Sequence, residues 1–186
     1  MIRKSNIMVR SGLALLACAS LIQVTPAIAA TQGSLGATSQ GTIDIQASVP
    51  SRARITGLTD VSFLNQDPTS DASSAQDVCV WSNTATKAYT ITATGDGTAG
   101  AFTLSDGSGT VPYSVEWNAT SGQSSGSALS TGVASGSLTS TATNQNCASG
   151  PSSSASLIVK LASADLSTMA TGSTYAGTLT LLVTPQ

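Results

Sequence analysis

Apolar residues in this chain recur at every second position, in short stretches cut apart by Gly, Pro, Asp and Asn, and nowhere at the 3.6-residue spacing of a helix. Such alternation places successive side chains on opposite faces of an extended backbone, so each stretch reads as a strand with one buried face. The clearest is 110–118, with Val111, Tyr113, Val115 and Trp117 on one side; Pro112 on the other side marks an edge or a bulge. Residues 174–185 repeat the pattern with Tyr175, Gly177, Leu179, Leu181 and Val183, and residues 87–94 with Tyr89, Ile91 and Ala93 against three threonines. Further strands are expected at 52–56, 60–64, 101–105 and 156–161. Val78, Cys79, Val80 and Trp81 make 77–82 apolar on both faces, as a central strand is.

Between these lie turn signals such as Gly95-Asp96-Gly97 and Asp106-Gly107, a polar loop over 65–76, and a short helical turn over 164–169. Residues 119–146 are almost all Ser, Thr, Gly and Ala, with Leu129, Val133 and Leu138 standing out. That is too little apolar area to offset ordering entropy unless the segment lies against something else, so it reads as long loops with one or two weak edge strands. Eight or nine strands at this spacing predict an all-β sandwich in one domain, and the lack of a fixed-period repeat argues against a solenoid or propeller.

The first thirty residues have a different character. Arg3, Lys4 and Arg10 precede an apolar run over 12–22, and Ala27-Ile28-Ala29 supplies a small-x-small cleavage site, so residues 1–29 are expected to be a signal peptide cut after Ala29 or Ala30. The run is shorter than the twenty or so residues a membrane span needs. Leu16-Ala17-Cys18 faintly suggests a lipoprotein box, but cutting there would ignore the later Ala-x-Ala. Without residues 1–29 the chain holds Arg52, Arg54, Lys87 and Lys160 against nine acids, 4 − 9 = −5, a balance that opposes nucleic-acid binding. Of three cysteines, Cys79 and Cys147 then remain in an exported chain, and a disulfide between them is the natural reading. With no histidine anywhere, a zinc site lacks ligands, a thiol nucleophile lacks its base, and a serine triad lacks its middle member.

Residues 41–50, Gly-Thr-Ile-Asp-Ile-Gln-Ala-Ser-Val-Pro, alternate strictly, with Ile43, Ile45, Ala47 and Val49 on one face. They follow a Gly/Ser/Thr-rich lead. Two readings stand: the first strand of a sandwich, or a strand lent to a neighbour.

The run from Ile43 to Pro50 resembles the amino-terminal extension of the alpha-clade, or colonisation-factor, pilins of the chaperone–usher fimbriae, and is joined in this by 174–184 and by Pro112-Tyr113-Ser114-Val115-Glu116-Trp117. The resemblance implies an incomplete immunoglobulin-like β-sandwich over 51–186 with a donor-strand extension over 30–50. In that family the groove left by the missing last strand is filled first by a periplasmic chaperone and then by the next subunit's extension. Carried over residue by residue, Ile43, Ile45, Ala47 and Val49 are the expected donors. Leu179, Leu181 and Val183 are the expected acceptor wall, which also pairs with the chaperone. Leu35 and Ala37 share the donor parity and could lengthen the insertion. The resemblance further implies identical or related pilins, a chaperone and an outer-membrane usher as partners, no cofactor, export to the periplasm and then the cell surface, and a host glycan or receptor as a further partner. Alpha-clade major subunits commonly do without a disulfide, whereas this chain has Cys79 and Cys147, in positions unlike the early pair of type 1 pilins; the penultimate tyrosine of type 1 and P pilins is also absent, which leaves the clade and the major shaft or minor position open.

An enzyme is the contrasting reading. Asp67, Asp96 and Asp106 sit in turns, where Asp serves local hydrogen bonding, and no spacing pairs the lone Glu116 with a second acid. Glu116 reads as a solvated or Arg/Lys-paired surface acid. Trp81, Tyr113 and Trp117 could stack a sugar, though aromatics on core strands more often pack inside. The remaining alternatives are a carbohydrate-binding tip subunit and a free-standing secreted sandwich.

Overall fold

A computed structural model describes residues 29–186, so the expected signal peptide lies outside the described residues except for Ala29. The chain divides between Ser48 and Val49 into two units.

The second unit is an all-β sandwich of antiparallel strands. Ten strands occur: β1 (Ala53–Thr56), β2 (Ala72–Ser82), β3 (Ala88–Gly95), β4 (Thr103–Ser105), β5 (Thr110–Pro112), β6 (Ser114–Asn118), β7 (Ser127–Ala128), β8 (Leu138–Thr139), β9 (Ala155–Leu161) and β10 (Leu179–Pro185), with one short α-helical turn, α1 (Ser163–Leu166), and a 3-10 turn at Thr98–Gly100. One sheet has the order β1-β2-β9-β6-β7, the other β10-β3-β8, and β4 and β5 form a separate hairpin. The core is what alternation predicts: Val78 and Val80 of β2, Tyr89, Ile91 and Ala93 of β3, Val115 and Trp117 of β6, and Leu157, Val159 and Leu161 of β9 are buried together. Inside it the Trp117 indole N–H donates to the Tyr89 hydroxyl at 3.2 Å, which satisfies both buried polar tips. Burial pushes the Tyr89 phenol above its ordinary pKa.

Several strands differ from their sequence reading. Residues 60–64 form no strand; Val61 and Phe63 still pack on the core, and the backbone is gripped by one side chain, Gln76, whose amide accepts from Thr59 N–H at 2.8 Å and donates to Thr59 C=O at 3.0 Å. The loop expected over 65–76 ends early, because β2 begins at Ala72 and pairs with β9 all the way to Leu161. The run 110–118 is two strands, β5 pairing with β4 and β6 with β9. The chain changes partner at Tyr113, whose N–H donates to Phe102 C=O at 2.9 Å. The last strand starts at Leu179, five residues later than 174. β9 is buried on both faces rather than one, for Ser156 and Ile158 are as inaccessible as Leu157.

The Ser/Gly-rich segment does lie against something, as its composition demands. Gly122 N–H donates to Asp77 Oδ1 at 2.6 Å and Gln123 N–H to Ser156 Oγ at 3.0 Å, laying the loop across the outer face of the larger sheet. Gly126 is required here: a Cβ would stand 2.4 Å from the Trp117 carbonyl oxygen. Further on, β7 and β8 are the two weak edge strands. Buried serines replace part of the ladder where β2 outruns β9. Ser154 Oγ bonds Val80 N–H at 2.8 Å and Val80 C=O at 2.9 Å, while Ser140 Oγ reaches the same carbonyl. The Cys79–Cys147 disulfide closes on the outer face of β2, with a Cα separation of 5.9 Å, and is packed by Ala142 and Trp81.

Candidate functional site

The strand orders locate the open side of the sandwich. In an immunoglobulin-like domain one sheet runs A-B-E-D and the other C-F-G. Here β1-β2-β9-β6 takes the A-B-E-D order and β3-β10 the C-F order, in the same chain sequence, while among the described residues no strand takes the place of G beside β10. Among the described residues β10 pairs only with β3, through seven residue positions from Leu179↔Gly95 to Pro185↔Tyr89, and β1 only with β2. These two edge strands, from different sheets, come within 8 Å between Cα atoms and share no ladder.

Burial changes sharply across this side. The inward residues of β3 (Tyr89, Ile91, Ala93) have no exposure, yet the inward residues of β10, which are Leu179, Leu181 and Val183, are only half-buried. Ile55 of β1 and nearby Val61 and Phe63 are half-buried against the same core. The outcome is a strip of partly wetted aliphatic side chains beside a free sheet edge. Completing the burial of one half-buried Leu or Val adds roughly 1 kcal/mol, and an unpaired edge leaves backbone donors and acceptors free to pair with another strand. The expected acceptor residues therefore do face inward along the edge strand, with Thr180, Leu182 and Thr184 outward.

Thr31 and Thr42 exchange both backbone hydrogen bonds, at 2.9 and 3.0 Å, closing residues 32–41 into a loop with Leu35 fully exposed. From Ile43 to Pro50 there is no strand, so the first-strand reading of this run does not hold among the described residues. Ile43, Ile45 and Val49 are 73%, 83% and 81% exposed, and Ala47 is exposed too.

The other residues singled out by the sequence lie elsewhere. Trp117 and Tyr113 are buried, Tyr113 with its ring 5.7 Å from Phe102, and Trp81 covers the disulfide, so the three aromatics form no common platform. Asp67 and Asp106 bond the backbone two and three residues on, whereas Asp96 caps the approach to β10 by accepting from Thr178 N–H at 2.8 Å. Among the described residues no cluster of three metal-ligating side chains forms.

Glu116 is paired across the β6–β9 ladder, with Lys160 Nζ 2.6 Å from Oε1, and accepts from Gly126 N–H at 3.0 Å. The Lys160 hydrogen bond, then that from Gly126, holds its carboxyl below the usual 4.5. A depressed carboxylate contributes fully above its unfolded pKa and loses that contribution as pH falls through the folded one. Glu116→Gln is accordingly expected to cost at most about 1 kcal/mol at pH 7. In denaturant titrations of wild type and variant, the difference should shrink as pH falls below 4.5 and disappear once the folded carboxyl is protonated. A difference that does not shrink with falling pH would mean the side chain acts through packing.

No family model matches the sequence, and no curated protein matches it closely. Among solved structures, a chain of the chaperone–tip adhesin complex of CFA/I fimbriae is 15% identical with a TM-score of 0.46, over 73% of this chain and 41% of that one. A chain of the CsuC–CsuE chaperone–tip subunit pre-assembly complex, from archaic chaperone–usher Csu pili of Acinetobacter baumannii, is 18% identical with a TM-score of 0.37, over 73% and 40%. This chain thus spans about two fifths of the length of either.

Proposed function

We propose that this chain is a structural subunit of a chaperone–usher surface fimbria, of the colonisation-factor type, and that it polymerises by lending residues 43–49 to the open edge of a second copy. The observation that carries the reading is the pair of complementary defects. β10 has a free edge over half-buried Leu179, Leu181 and Val183, and the chain also carries an exposed run with four apolar side chains at strand parity and no ladder. Insertion would pair the edge and seal the strip in one step, as β-augmentation does. The sequence resemblance supports the same assignment, and with it a periplasmic chaperone that covers the edge before assembly, an outer-membrane usher, export to the cell surface and support of cell adhesion. The function is structural rather than catalytic.

Ile45→Asp tests this at one side chain. Burial of each large donor is worth roughly 1.5–3 kcal/mol, and an inserted carboxylate adds an unpaired charge. Subunit–subunit association should weaken by at least about 100-fold, while the thermal unfolding of the unassembled monomer is unchanged. Equal loss of monomer stability and association would make Ile45 part of its own domain's core instead.

A further inference from the structure

One side chain grips the sandwich end of the extension. Asn83 follows the last residue of β2, at the corner where the chain crosses to β3. Its backbone N–H donates to Arg52 C=O at 3.1 Å, which prolongs the β1–β2 ladder one step beyond Ala53↔Ser82. Its side-chain amide then takes over from the backbone. Oδ1 accepts from Arg52 N–H at 2.6 Å, and Nδ2 donates to Pro50 C=O at 2.9 Å. Residues 50 and 52 thus turn their backbone groups to the same neighbour, the alternation of an extended chain, so 50–52 continue the line of β1. The corner behind Asn83 is fixed in its turn: Ser82 Oγ donates to Ala88 C=O at 3.0 Å, and Lys87 N–H to Thr84 C=O at 2.9 Å.

We infer, resting on the donor-strand reading above, that this clamp opposes folding of the extension back onto the β10 edge of its own chain and so keeps residues 43–49 available to a second copy. The topology makes back-folding a close competitor. β2 runs into the Asn83 corner, β3 leaves it, and β10 returns to it, ending with Pro185 opposite Tyr89 and Gln186 N–H on Ala88 C=O at 3.0 Å. β1, antiparallel to β2, begins at that same end of the sandwich. A reversal over residues 50–52, a common length for a hairpin loop, would carry Val49, Ala47 and Ile45 back toward the chain's own free edge, running parallel to β10. An internal partner on so short a connection acts at an effective concentration of order millimolar, well above that of other copies. Two features weigh against it. A parallel ladder is slightly less stable per residue than an antiparallel one, and a turn centred on Ser51 would break the alternation that both Asn83 amide bonds require. Asn83 is therefore a positioning residue, which acts through the backbone of 50–52 on the choice between self and neighbour.

Capture of a labelled synthetic peptide of residues 41–50 by the full-length chain tests it, with the chain dilute enough that no fibres form. Asn83→Ala should weaken the apparent affinity for the peptide about five- to tenfold relative to wild type, the weight of two modest hydrogen bonds. Ile45→Asp in the same chain disables its own extension as a competitor. The Asn83→Ala, Ile45→Asp double variant should therefore capture the peptide to within about twofold of Ile45→Asp alone, a rescue that a merely structural role for Asn83 would not give. Equal capture by Asn83→Ala and wild type overturns the clamp, and so does a double variant as poor as Asn83→Ala alone. In both of those cases capture by wild type leaves the donor-strand reading standing. If none of the four chains takes up the peptide, that reading falls and the clamp with it.

Discussion

Replacing Cys79 and Cys147 together by alanine is expected to lower the stability of the sandwich by about 4 kcal/mol, or roughly 10–15 °C in melting temperature for a domain of this size. The bridge spans 68 positions of sequence, long enough for the unfolded chain to gain a large entropy when it is cut. The segment it holds is otherwise attached mainly by hydrogen bonds, through β7, β8 and contacts such as Gly122–Asp77 and Ser140–Val80, with little apolar packing beyond Leu129 and Leu138. Residues 119–154 are poor in large apolar side chains, and their contact with β2 near the bridge is a small cluster of Cys79, Ala142, Cys147 and half-buried Trp81. Alanine avoids placing hydroxyl groups at two positions that are nearly inaccessible. Guanidinium titration of the double variant should show the loss, and limited proteolysis should cut first within 119–150. A loss below about 1 kcal/mol would mean that Ser140, Ser154 and the loop's backbone bonds hold the segment unaided. Against a typical net stability of 5–15 kcal/mol, the expected loss is a substantial fraction.

The inward faces of β3, β6 and β10 are legible because apolar residues recur at every second position, and that face is buried in β3 and β6 and half-buried in β10, although Leu182 also puts an apolar side chain outward. Parity, however, does not report partners. Nothing in Val111, Tyr113, Val115 and Trp117 signals that the chain leaves β4 at Tyr113 and joins β9, since all four side chains stay inward through the change. Ala72 to Gln76 looked like loop because the residues are small and polar; a ladder to β9, not apolar area, makes them a strand. Conversely, Val61 and Phe63 had the pattern and the burial but no ladder. The buried serines Ser140 and Ser154 carry no signal at all in a chain with so many hydroxyls. At the candidate site the residues of β10 were legible by parity, while the free edge beside them was not, because strand order is a property of the whole sheet.

The second large effect is the removal of residues 31–49, which tests the donor-strand account most directly. It deletes the exposed Ile43, Ile45, Ala47 and Val49 together with the Thr31–Thr42 loop, and touches none of the ten strands. The shortened chain keeps β10 and β1 and with them the open strip, so it should remain folded, fail to form fibres, and still accept the extension of a full-length copy. Mixed with full-length chain it is predicted to end fibres in proportion to its share. Fibre length and yield on the cell surface, measured by electron microscopy with and without residues 31–49, decide the matter. Loss of fibres with capture of the shortened chain at fibre ends is the predicted result, and fibres of normal length built from the shortened chain alone would contradict it.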